Sequence, residues 1–376
     1  MSKVEWKKLV LVSDVLYGYP FESSLFSEDS SFMPLIRIRD VKPAKASTYY
    51  TGEFNETYRI RKGDILVGMD GEFNIGKWDD RDGLLNQRVL KIKGKEDCCI
   101  DGFLYHYMGP VFKRIEKETP GGSVKHLSAK VINSIQIPVP TLSEQKRIVG
   151  ILDTFTASID NLKEQIALRR KQYEYYRDQL LDLEGKEGVE MRTIKDICAH
   201  ICSGGTPSTA HKEFYEGEIP WLRTQEIDWK YIYETGLRIT EEAIAHSSAK
   251  MIPENCVIVA MYGATAAKVA INKIPLSTNQ ACCNLEIAPN KAVYKYVYYW
   301  LCKEYLNLKS MGEGSQNNIN GKKVKDYPIP VPSISEQQRI VSILDTFEAS
   351  IQNLEAQLAQ REKQYEYYRN KLLTFE

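Results

Sequence analysis

The side chains best suited to metal binding or covalent chemistry in this sequence are eight cysteines and five histidines. The cysteines are Cys98, Cys99, Cys198, Cys202, Cys256, Cys282, Cys283 and Cys302. They form no CxxC pair, the spacing typical of zinc and redox sites, and the histidines do not join them at ligand spacing. We therefore expect buried, reduced thiols, and we expect neither a bound metal nor a cofactor.

Sequence motifs of common enzyme classes are also missing. A DNA methyltransferase needs an N/D-P-P-Y/F motif for the target amine and a Gly-rich loop for its cofactor, and hydrolases carry H-E-x-x-H or G-x-S-x-G. The run GSQNNINGKK at 314–323 resembles a phosphate-binding loop only superficially. Its glycine spacing is wrong, and it lacks the Ser or Thr that binds Mg²⁺. The sequence therefore predicts a protein without catalysis of its own.

Charge limits the kind of partner, because 50 basic and 50 acidic residues give a formal net charge of zero. This balance argues against a cationic protein that binds nucleic acid regardless of sequence. A sequence-specific binder stays possible, since acidic surface elsewhere can offset one basic face. The sequence has no apolar run long enough to predict a membrane span. Its start, MSKVEWKKLVLVSDV, has too short an apolar run for a signal peptide. We expect a cytoplasmic protein.

The elements that must position any site are set by a repeat of 48 residues at 137–184 and 329–376. The copies begin IPVPTLSEQKRIVGILD and IPVPSISEQQRIVSILD, share KQYEYYR, and are identical at 33 of 48 positions. Each IPVP should be extended, because proline disfavours the α conformation of the preceding residue. Ser143 and Ser335 are the predicted N-caps of one long helix in each copy.

Apolar residues recur in these helices at alternating spacings of four and three, which is the pattern of a coiled-coil seam. The seam begins at Ile148, Leu152 and Phe155 in the first copy and at Ile340, Leu344 and Phe347 in the second. Its one non-apolar position is Arg169 or Arg361. A helix of about 40 residues is about 60 Å long, and the other copy is the nearest partner that could cover such a seam. An antiparallel pair is the more economical arrangement.

Four segments follow from the repeat: globular 1–136, helix 137–184, globular 185–328 and helix 329–376. The globular segments share ordered landmarks. MPLIRIRDV (33–41) aligns with IPWLRTQEI (219–227), the runs beginning at 62 and 254 align, and Asn86-Gln87 aligns with Asn279-Gln280. Short β-rich runs between Gly turns predict a mixed α+β fold. The whole chain is thus predicted as two globular domains joined by two antiparallel helices, pseudo-two-fold and circular in arrangement.

This order of segments resembles the specificity subunit of type I restriction–modification systems, over the whole chain. The most specific motifs are the two IPVP…SEQ…ILD runs, followed by SGGTPS (203–208) with IPWLRTQEI. The first domain departs from the pattern, since LYGYPFES (16–23) stands where SGGTPS would be. That departure leaves the contact role of this loop open.

The resemblance implies a DNA-recognition subunit with no catalysis of its own. Each globular domain would be a target-recognition domain for one half of a bipartite double-stranded DNA site. The helices would set the spacing and dock two methyltransferase subunits, which in turn support the restriction subunits.

On that reading, DNA contacts need Arg, Asn or Gln for base edges, and Lys, Arg, hydroxyls or open amides for phosphates. The candidates in the first domain are Arg37, Arg39, Lys42, Lys77 and Arg88. Those in the second domain are Gly204, Gly205, Thr206, Ser208, Arg223, Gln225, Lys268, Gln316, Asn317 and Asn318. Gly204 and Gly205 are included because their backbone amides could approach a phosphate.

Each of these candidates also has a plainer interpretation, because a single surface arginine is usually a solvated charge. Asn86-Gln87 and Asn279-Gln280 are interpreted as structural, since both domains carry them. The seam tyrosines are interpreted as packing residues rather than base-stacking platforms. Tyr175 and Tyr367 lie off the seam and are the candidates for contacting the two methyltransferase subunits.

Two other functions fit the same segments. A coiled-coil adaptor with two protein-binding domains would suit the neutral charge. A specificity subunit of a fused methylase–nuclease system, of the type IIB kind, would use the same scaffold with different partners.

Overall fold

The structure is a computed structural model, and it describes residues 4–119, 125–313 and 318–375. The chain forms two compact units, one of Met1–Lys163 with Ala356–Glu376 and the other of Glu164–Glu355. Each unit combines one globular domain with parts of two long helices. The predicted mixed α+β fold, with two globular domains each followed by a long helix, is confirmed. The pseudo-two-fold, circular arrangement of the whole chain stays a prediction.

The first unit is built on a four-stranded antiparallel sheet of order β2-β10-β7-β8 and a five-stranded mixed sheet of order β3-β5-β4-β9-β6. Its strands are β1 (Glu5–Lys8), β2 (Ser13–Tyr17), β3 (Phe26–Ser27), β4 (Met33–Ile36), β5 (Tyr49–Tyr50), β6 (Arg59–Ile60), β7 (Ile65–Gly68), β8 (Ile75–Lys77), β9 (Gly83–Leu85), β10 (Val89–Gly94) and β11 (Gln136–Val139). Its helices are α1 (Leu9–Val12), α2 (Ile38–Val41), α3 (Asp101–Glu118), α4 (Ala129–Ser134) and the first part of α5 (Leu142–Leu180).

The second unit has a five-stranded sheet of order β13-β21-β18-β19-β15 and a four-stranded sheet of order β16-β14-β20-β17. Its strands are β12 (Glu190–Thr193), β13 (Cys198–Ser203), β14 (Ile219–Leu222), β15 (Lys230–Ile232), β16 (Leu237–Ile239), β17 (Met251–Ile252), β18 (Val257–Ala260), β19 (Val269–Asn272), β20 (Leu276–Thr278), β21 (Cys282–Ile287) and β22 (Pro328–Val331). Its helices are α6 (Ile194–Ile197), α7 (Glu241–Ala245), α8 (Tyr294–Lys303), α9 (Tyr305–Ser310), α10 (Gly321–Lys325) and the first part of α11 (Ile334–Leu372).

A two-stranded ribbon closes each domain and contains the IPVP segment. In the first unit β1 pairs with β11, so that Trp6 lies opposite Pro138. In the second unit β12 pairs with β22, so that Met191 lies opposite Pro330. The predicted extended conformation of both IPVP segments is confirmed.

The common origin of the two domains is visible in their backbone hydrogen bonds. The Leu127 amide donates to the Met69 carbonyl at 2.7 Å, and the Ile319 amide donates to the Met261 carbonyl at 2.9 Å. Both pairs lie at positions 192 residues apart in the chain. The two domains therefore share one framework, although their sequences have diverged.

The long helices begin two residues earlier than predicted. Helix α5 begins at Leu142, and the Thr141 hydroxyl accepts a hydrogen bond from the Glu144 amide at 3.3 Å. Helix α11 begins at Ile334, and the Ser333 hydroxyl plays the same part. The prediction of Ser143 and Ser335 as N-caps is wrong, because the hydroxyl directly after the IPVP segment reaches the exposed amides first.

The glutamine of each SEQ motif joins the helix to the domain before it. Gln145 is fully buried; its amide donates to the Pro140 carbonyl at 2.9 Å and its side-chain oxygen accepts from the Ile100 amide at 3.0 Å. Gln337 is equally buried and accepts from the Val293 amide at 2.8 Å. These bonds fix how each helix leaves its domain.

The predicted seam has a repeated aromatic contact in each unit. In the first unit the rings of Phe155 and Tyr368 stack at 5.3 Å. In the second unit Tyr176 and Phe347 stack at 5.4 Å. The non-apolar seam position contributes to both, since Arg361 lies 5.7 Å from the Phe155 ring and Arg169 lies 5.9 Å from the Phe347 ring.

The antiparallel direction of the helices is shown by two pairs within the second unit. Arg170 of α5 forms an ion pair with Glu355 of α11 at 2.5 Å. Six residues later in α5, Tyr176 contacts Phe347, which lies eight residues earlier in α11. The predicted antiparallel pairing is confirmed.

All eight cysteines lie in the described part of the chain, and all are free thiols. Burial raises the pKa of Cys99 and Cys256 to about 12, so these thiols stay protonated near neutral pH. Among the described residues, none of the helices combines the length and the apolar character that crossing a bilayer requires.

Candidate nucleic-acid interface

An open cleft of about 580 Å³ in the first domain brings together four of the five residues predicted there. They are Arg37, Arg39, Lys42 and Arg88, and the cleft wall contains one carboxylate side chain, that of Glu72. The remaining lining residues are Ile38, Pro43, Asn74, Asn86 and Gln87. A chain of zero net charge thus concentrates positive charge at one concave surface.

The wall of the cleft after β4 is held by a buried carboxylate. Asp40 accepts a hydrogen bond from the Arg37 amide at 2.9 Å and another from the Ser47 hydroxyl at 2.6 Å. Arg39 donates to the hydroxyls of Ser47 and Thr48 at 2.9 and 2.8 Å. These bonds hold the backbone of the wall. The Arg37 side chain takes no part in them.

Arg88 of the cleft contacts two residues that the sequence did not identify and that are not among the lining residues, Asp70 and His126. Asp70 Oδ2 lies 3.5 Å from Arg88 Nε, and Asp70 Oδ1 lies 2.5 Å from His126 Nδ1. The three residues come from separate parts of the chain, so no local spacing pointed to them. Only the residue types, an acid and a histidine that could pair with an arginine, could have pointed to them.

The Asn-Gln pairs have divided roles. Asn86 is buried, and its side-chain oxygen accepts from the Gln87 amide at 2.9 Å. The Asn279 side-chain oxygen accepts a hydrogen bond from the Cys282 thiol at 3.2 Å. The structural interpretation therefore holds for the asparagines, whereas Gln87 is exposed at the cleft.

Lys77 is not brought to the cleft with the other four residues. Its ammonium lies 3.5 Å from Asp153 on α5 and 4.8 Å from the centre of the Tyr105 ring. Its contacts join β8 to α3 and α5, because the β8 strand runs beside those helices. Its position supports packing of the helix against the domain rather than a place among the cleft residues.

In the second domain Arg223 occupies the position of Arg37. The Arg223 amide donates to Glu226 Oε1 at 3.2 Å, as the Arg37 amide donates to its own acid three residues on. Within the described part of the chain, the buried Nε of Arg223 has no hydrogen-bond partner. Gln225 is exposed on the same turn. This turn offers one guanidinium and one amide to a ligand.

The loop after β13 meets the turn after β20. The Thr206 hydroxyl donates to the side-chain oxygen of Gln280. Ser208 is exposed two residues further on. The SGGTPS loop and the Asn279-Gln280 turn therefore present neighbouring polar side chains.

Gly204 and Gly205 have another role than the one predicted. Both are buried, and a Cβ on Gly204 would lie 2.0 Å from the Thr278 carbonyl oxygen, while one on Gly205 would lie 2.3 Å from the Ala249 amide. The Gly205 amide donates to the Thr278 carbonyl at 2.9 Å. The prediction that this amide faces a phosphate is wrong, because the glycines are there to let two backbone segments approach closely. Gly18 has the same close contact in the first domain, with the Asn86 carbonyl.

The other predicted residues of the second domain are held by contacts within that domain. Lys268 pairs with Asp228 at 2.6 Å and lies 4.4 Å from the Trp229 ring centre. The Asn318 side-chain oxygen accepts from the Gly263 amide at 3.0 Å. The predicted residues Gln316 and Asn317 lie outside the described residues.

Tyr175 and Tyr367 lie at equivalent places on α5 and α11. They are 61% and 60% exposed, the highest values among the tyrosines of the two helices that are described as exposed. Each packs edge-on against the next tyrosine, Tyr176 or Tyr368, which belongs to the seam. On each long helix this tyrosine is therefore the most exposed of the described aromatic rings.

Comparison with known proteins gives these observations a family. The model of the type I restriction modification DNA specificity domain matches residues 3–169 and again residues 186–362. The chain is 34% identical over 345 residues to the EcoR124I/EcoR124II specificity subunit of a type I restriction enzyme of Escherichia coli, covering 87% of this chain and 84% of that one. It is 28% identical over 382 residues to the EcoBI specificity subunit, also of Escherichia coli, covering 92% and 80%.

A solved structure has the same fold. The S subunit of a type I restriction-modification system from M. genitalium superposes with a TM-score of 0.66 at 16% identity, over 100% of this chain and 97% of that one. The repeated family domain agrees with the two diverged copies seen in the sequence and in the backbone hydrogen bonds. The chain belongs to the type I restriction-modification DNA specificity family.

Proposed function

We propose that each globular domain binds one half of a bipartite double-stranded DNA site, the first domain through the cleft between Arg37 and Arg88. The observation that carries this proposal is the concentration of four cationic side chains, opposed by one lining carboxylate, in a neutral protein. Phosphate contacts supply most of the affinity for DNA, whereas base contacts supply the discrimination.

Within the first domain the cleft residues have different free donors. Arg39 donates from two of its nitrogens to Ser47 and Thr48, which holds the wall in place. Its remaining N–H groups are suited to contact a phosphate. Lys42 is an exposed point charge, again suited to a phosphate. Gln87 and Arg88 are exposed, and each side chain carries two groups that can form paired hydrogen bonds. Paired hydrogen bonds of this kind distinguish one base edge from another.

The second domain offers a different set of donors to the other half-site. Arg223 contributes a half-buried guanidinium, and Gln225 and Gln280 are exposed amides. An amide can bind adenine in two places at once, as an arginine binds guanine. The two domains therefore suit two different half-sites, and the recognised sequence is expected to be asymmetric.

The long helices fix the distance between the half-sites and dock two methyltransferase subunits, with Tyr175 and Tyr367 at equivalent contacts. Restriction subunits join through that complex, and the chain has no catalysis of its own and works in the cytoplasm. The exposure of both rings and their identical supports on α5 and α11 support this part of the proposal.

The decisive experiment is to express the chain with its methyltransferase subunits in a host that lacks DNA methylation and to sequence the methylated bases. We expect methylation at one split, asymmetric sequence. Methylation without site preference would contradict the proposal. Binding of the purified complex to that site should weaken steeply as salt rises, whereas a coiled-coil adaptor would show no such DNA binding.

A further inference from the structure

Arg88 is held at the cleft by an unusual backbone position. It lies on the tight turn between β9 and β10 with a φ of 70°, in the left-handed region that side chains other than glycine rarely adopt. Its carbonyl accepts a hydrogen bond from the Met69 amide at 2.8 Å, and the Gln87 amide donates to the Tyr19 carbonyl at 2.8 Å, so the turn is held from two sides. The side chain is 54% exposed.

Asp70 and His126 determine which donors of Arg88 stay available. A carboxylate only accepts hydrogen bonds, so His126 Nδ1, at 2.5 Å from Asp70 Oδ1, carries the proton of that bond. That nitrogen cannot also accept from Arg88 Nη1, although the two atoms are 3.4 Å apart. Asp70 Oδ2 faces Arg88 Nε at 3.5 Å. The two Nη groups are therefore free to donate to a ligand in the cleft.

The second domain has the same backbone framework without this cluster. Its equivalent turn is held by the same bond, because the Met261 amide donates to the Ala281 carbonyl at 2.8 Å. Yet Ala281, Tyr262 and Asn318 stand where the first domain has Arg88, Asp70 and His126. The framework is shared, and the cluster belongs to the first domain only. We therefore attribute the cluster to the ligand that the first domain binds and not to the shared framework.

We infer that Arg88 reads a guanine in the half-site of the first domain, with its two Nη groups donating to O6 and N7 in the major groove, and that Asp70 is the residue that positions it. This inference rests on the proposed function. A bidentate guanidinium contact is the commonest specific contact to guanine. The ion pair of Asp70 with Nε, at 3.5 Å, restricts the orientations of the guanidinium before DNA arrives, which lowers the entropy lost on binding.

The test is to sequence the methylated sites produced by the complex containing Arg88→Ala. We expect discrimination for guanine to fall about 5- to 150-fold at one position of the first half-site. Every position of the second half-site should stay as selective as before. That unchanged half also shows that the variant has folded. Arg88→Lys keeps the charge but loses the fork, so it should lose discrimination at the same position.

Asp70→Asn tests the positioning role separately. It should relax the same single position by a smaller factor, since the arginine is still present but is held less firmly. Arg61→Ala is the matched control, because Arg61 is another exposed arginine of the first domain and is not among the lining residues of the cleft. It should leave all positions unchanged.

Two results would overturn the inference. Unchanged specificity in Arg88→Ala would remove the base contact. A uniform loss of affinity for all sequences, with the salt slope smaller by about one, would make Arg88 a phosphate contact instead. Both require that the wild-type complex prefers a site. A wild-type complex without any preference would contradict the proposed function, which is a different result.

Discussion

At the scale of single residues, the two domains use different side chains, His106 and Tyr299, for the same contact. In the first domain His106 Nε2 donates to Asp153 at 2.7 Å, and Nδ1 accepts from the Tyr365 hydroxyl at 3.0 Å. In the second domain the Tyr299 hydroxyl donates to Asp345 at 2.6 Å. Either side chain joins the domain to the aspartate of the ILD motif. Only the histidine can change its charge near neutral pH.

The stability of the first domain should therefore depend on pH through His106. Burial lowers the pKa of His106 below its ordinary value, and the charges of Lys77 and Arg369 act in the same direction, although Asp153 opposes them. As pH falls below about 6.5, the unfolded chain takes up the proton first. The free energy of unfolding should thus be highest above that pH and should decrease below it.

Urea unfolding at pH 5.5, 6.5 and 7.5 measures this effect. His106→Gln can still donate to Asp153 but does not titrate, so its unfolding midpoint should vary less with pH than that of the wild type. If the variant and the wild type lose stability equally on acidification, His106 is not the group responsible.

At the scale of elements, the start of each long helix is held to its domain by buried hydrogen bonds. Gln337 is fully buried, accepts from the Val293 amide and donates to the Pro332 carbonyl. Gln337→Ala leaves a buried amide without a partner, which should cost about 1–3 kcal/mol of stability. Gln338→Ala is the control, because Gln338 is the next residue and is exposed. Thermal unfolding of both variants is the measurement, and equal losses would show that the buried bonds contribute nothing specific.

The elements could be predicted from regular spacing in the sequence. Contacts between residues far apart in the chain could not. The repeat predicts α5, α11 and the strands β11 and β22, because proline, heptads and identity are all local signals. The Thr141 cap was missed by two residues because Thr141 and Ser143 can both cap a helix, and only the geometry of the chain chooses between them. Four cleft residues were found from residue type, yet Asp70 and His126 were not, since folding alone brings positions 70, 88 and 126 together.

At the scale of the whole molecule, the helices should act as the ruler between the half-sites. Removing one heptad from both α5 and α11 keeps the seam in register and shortens each helix by about 10 Å. The preferred spacer should become shorter by about 3 base pairs at 3.4 Å per step. Sequencing of methylated sites measures the spacer directly.

The control for this deletion replaces the same heptads by others of equal length with the seam residues retained. That variant should keep the original spacer. An unchanged spacer after the deletion would show that the helices do not set the distance.

The proposed assembly with two methyltransferase subunits provides the second test at this scale. Tyr175→Ala should remove one subunit from the complex, because the equivalent ring at Tyr367 is still present. Tyr175→Ala combined with Tyr367→Ala should remove both. Native mass spectrometry gives the stoichiometry, and Tyr233→Ala is the control, since Tyr233 is 65% exposed outside the long helices. Two bound subunits in the double variant would leave these rings as surface packing only.

The paired ribbons β1–β11 and β12–β22 have an evolutionary consequence. Because Glu5 lies opposite Val139 and Glu190 lies opposite Val331, the chain enters and leaves each domain at neighbouring points. A gene segment encoding one domain can then be exchanged by recombination without moving the points at which it joins the helices. The two repeats, identical at 33 of 48 positions, flank the second domain and would serve as its crossover sites. Such an exchange would give the complex a new DNA half-site in a single step.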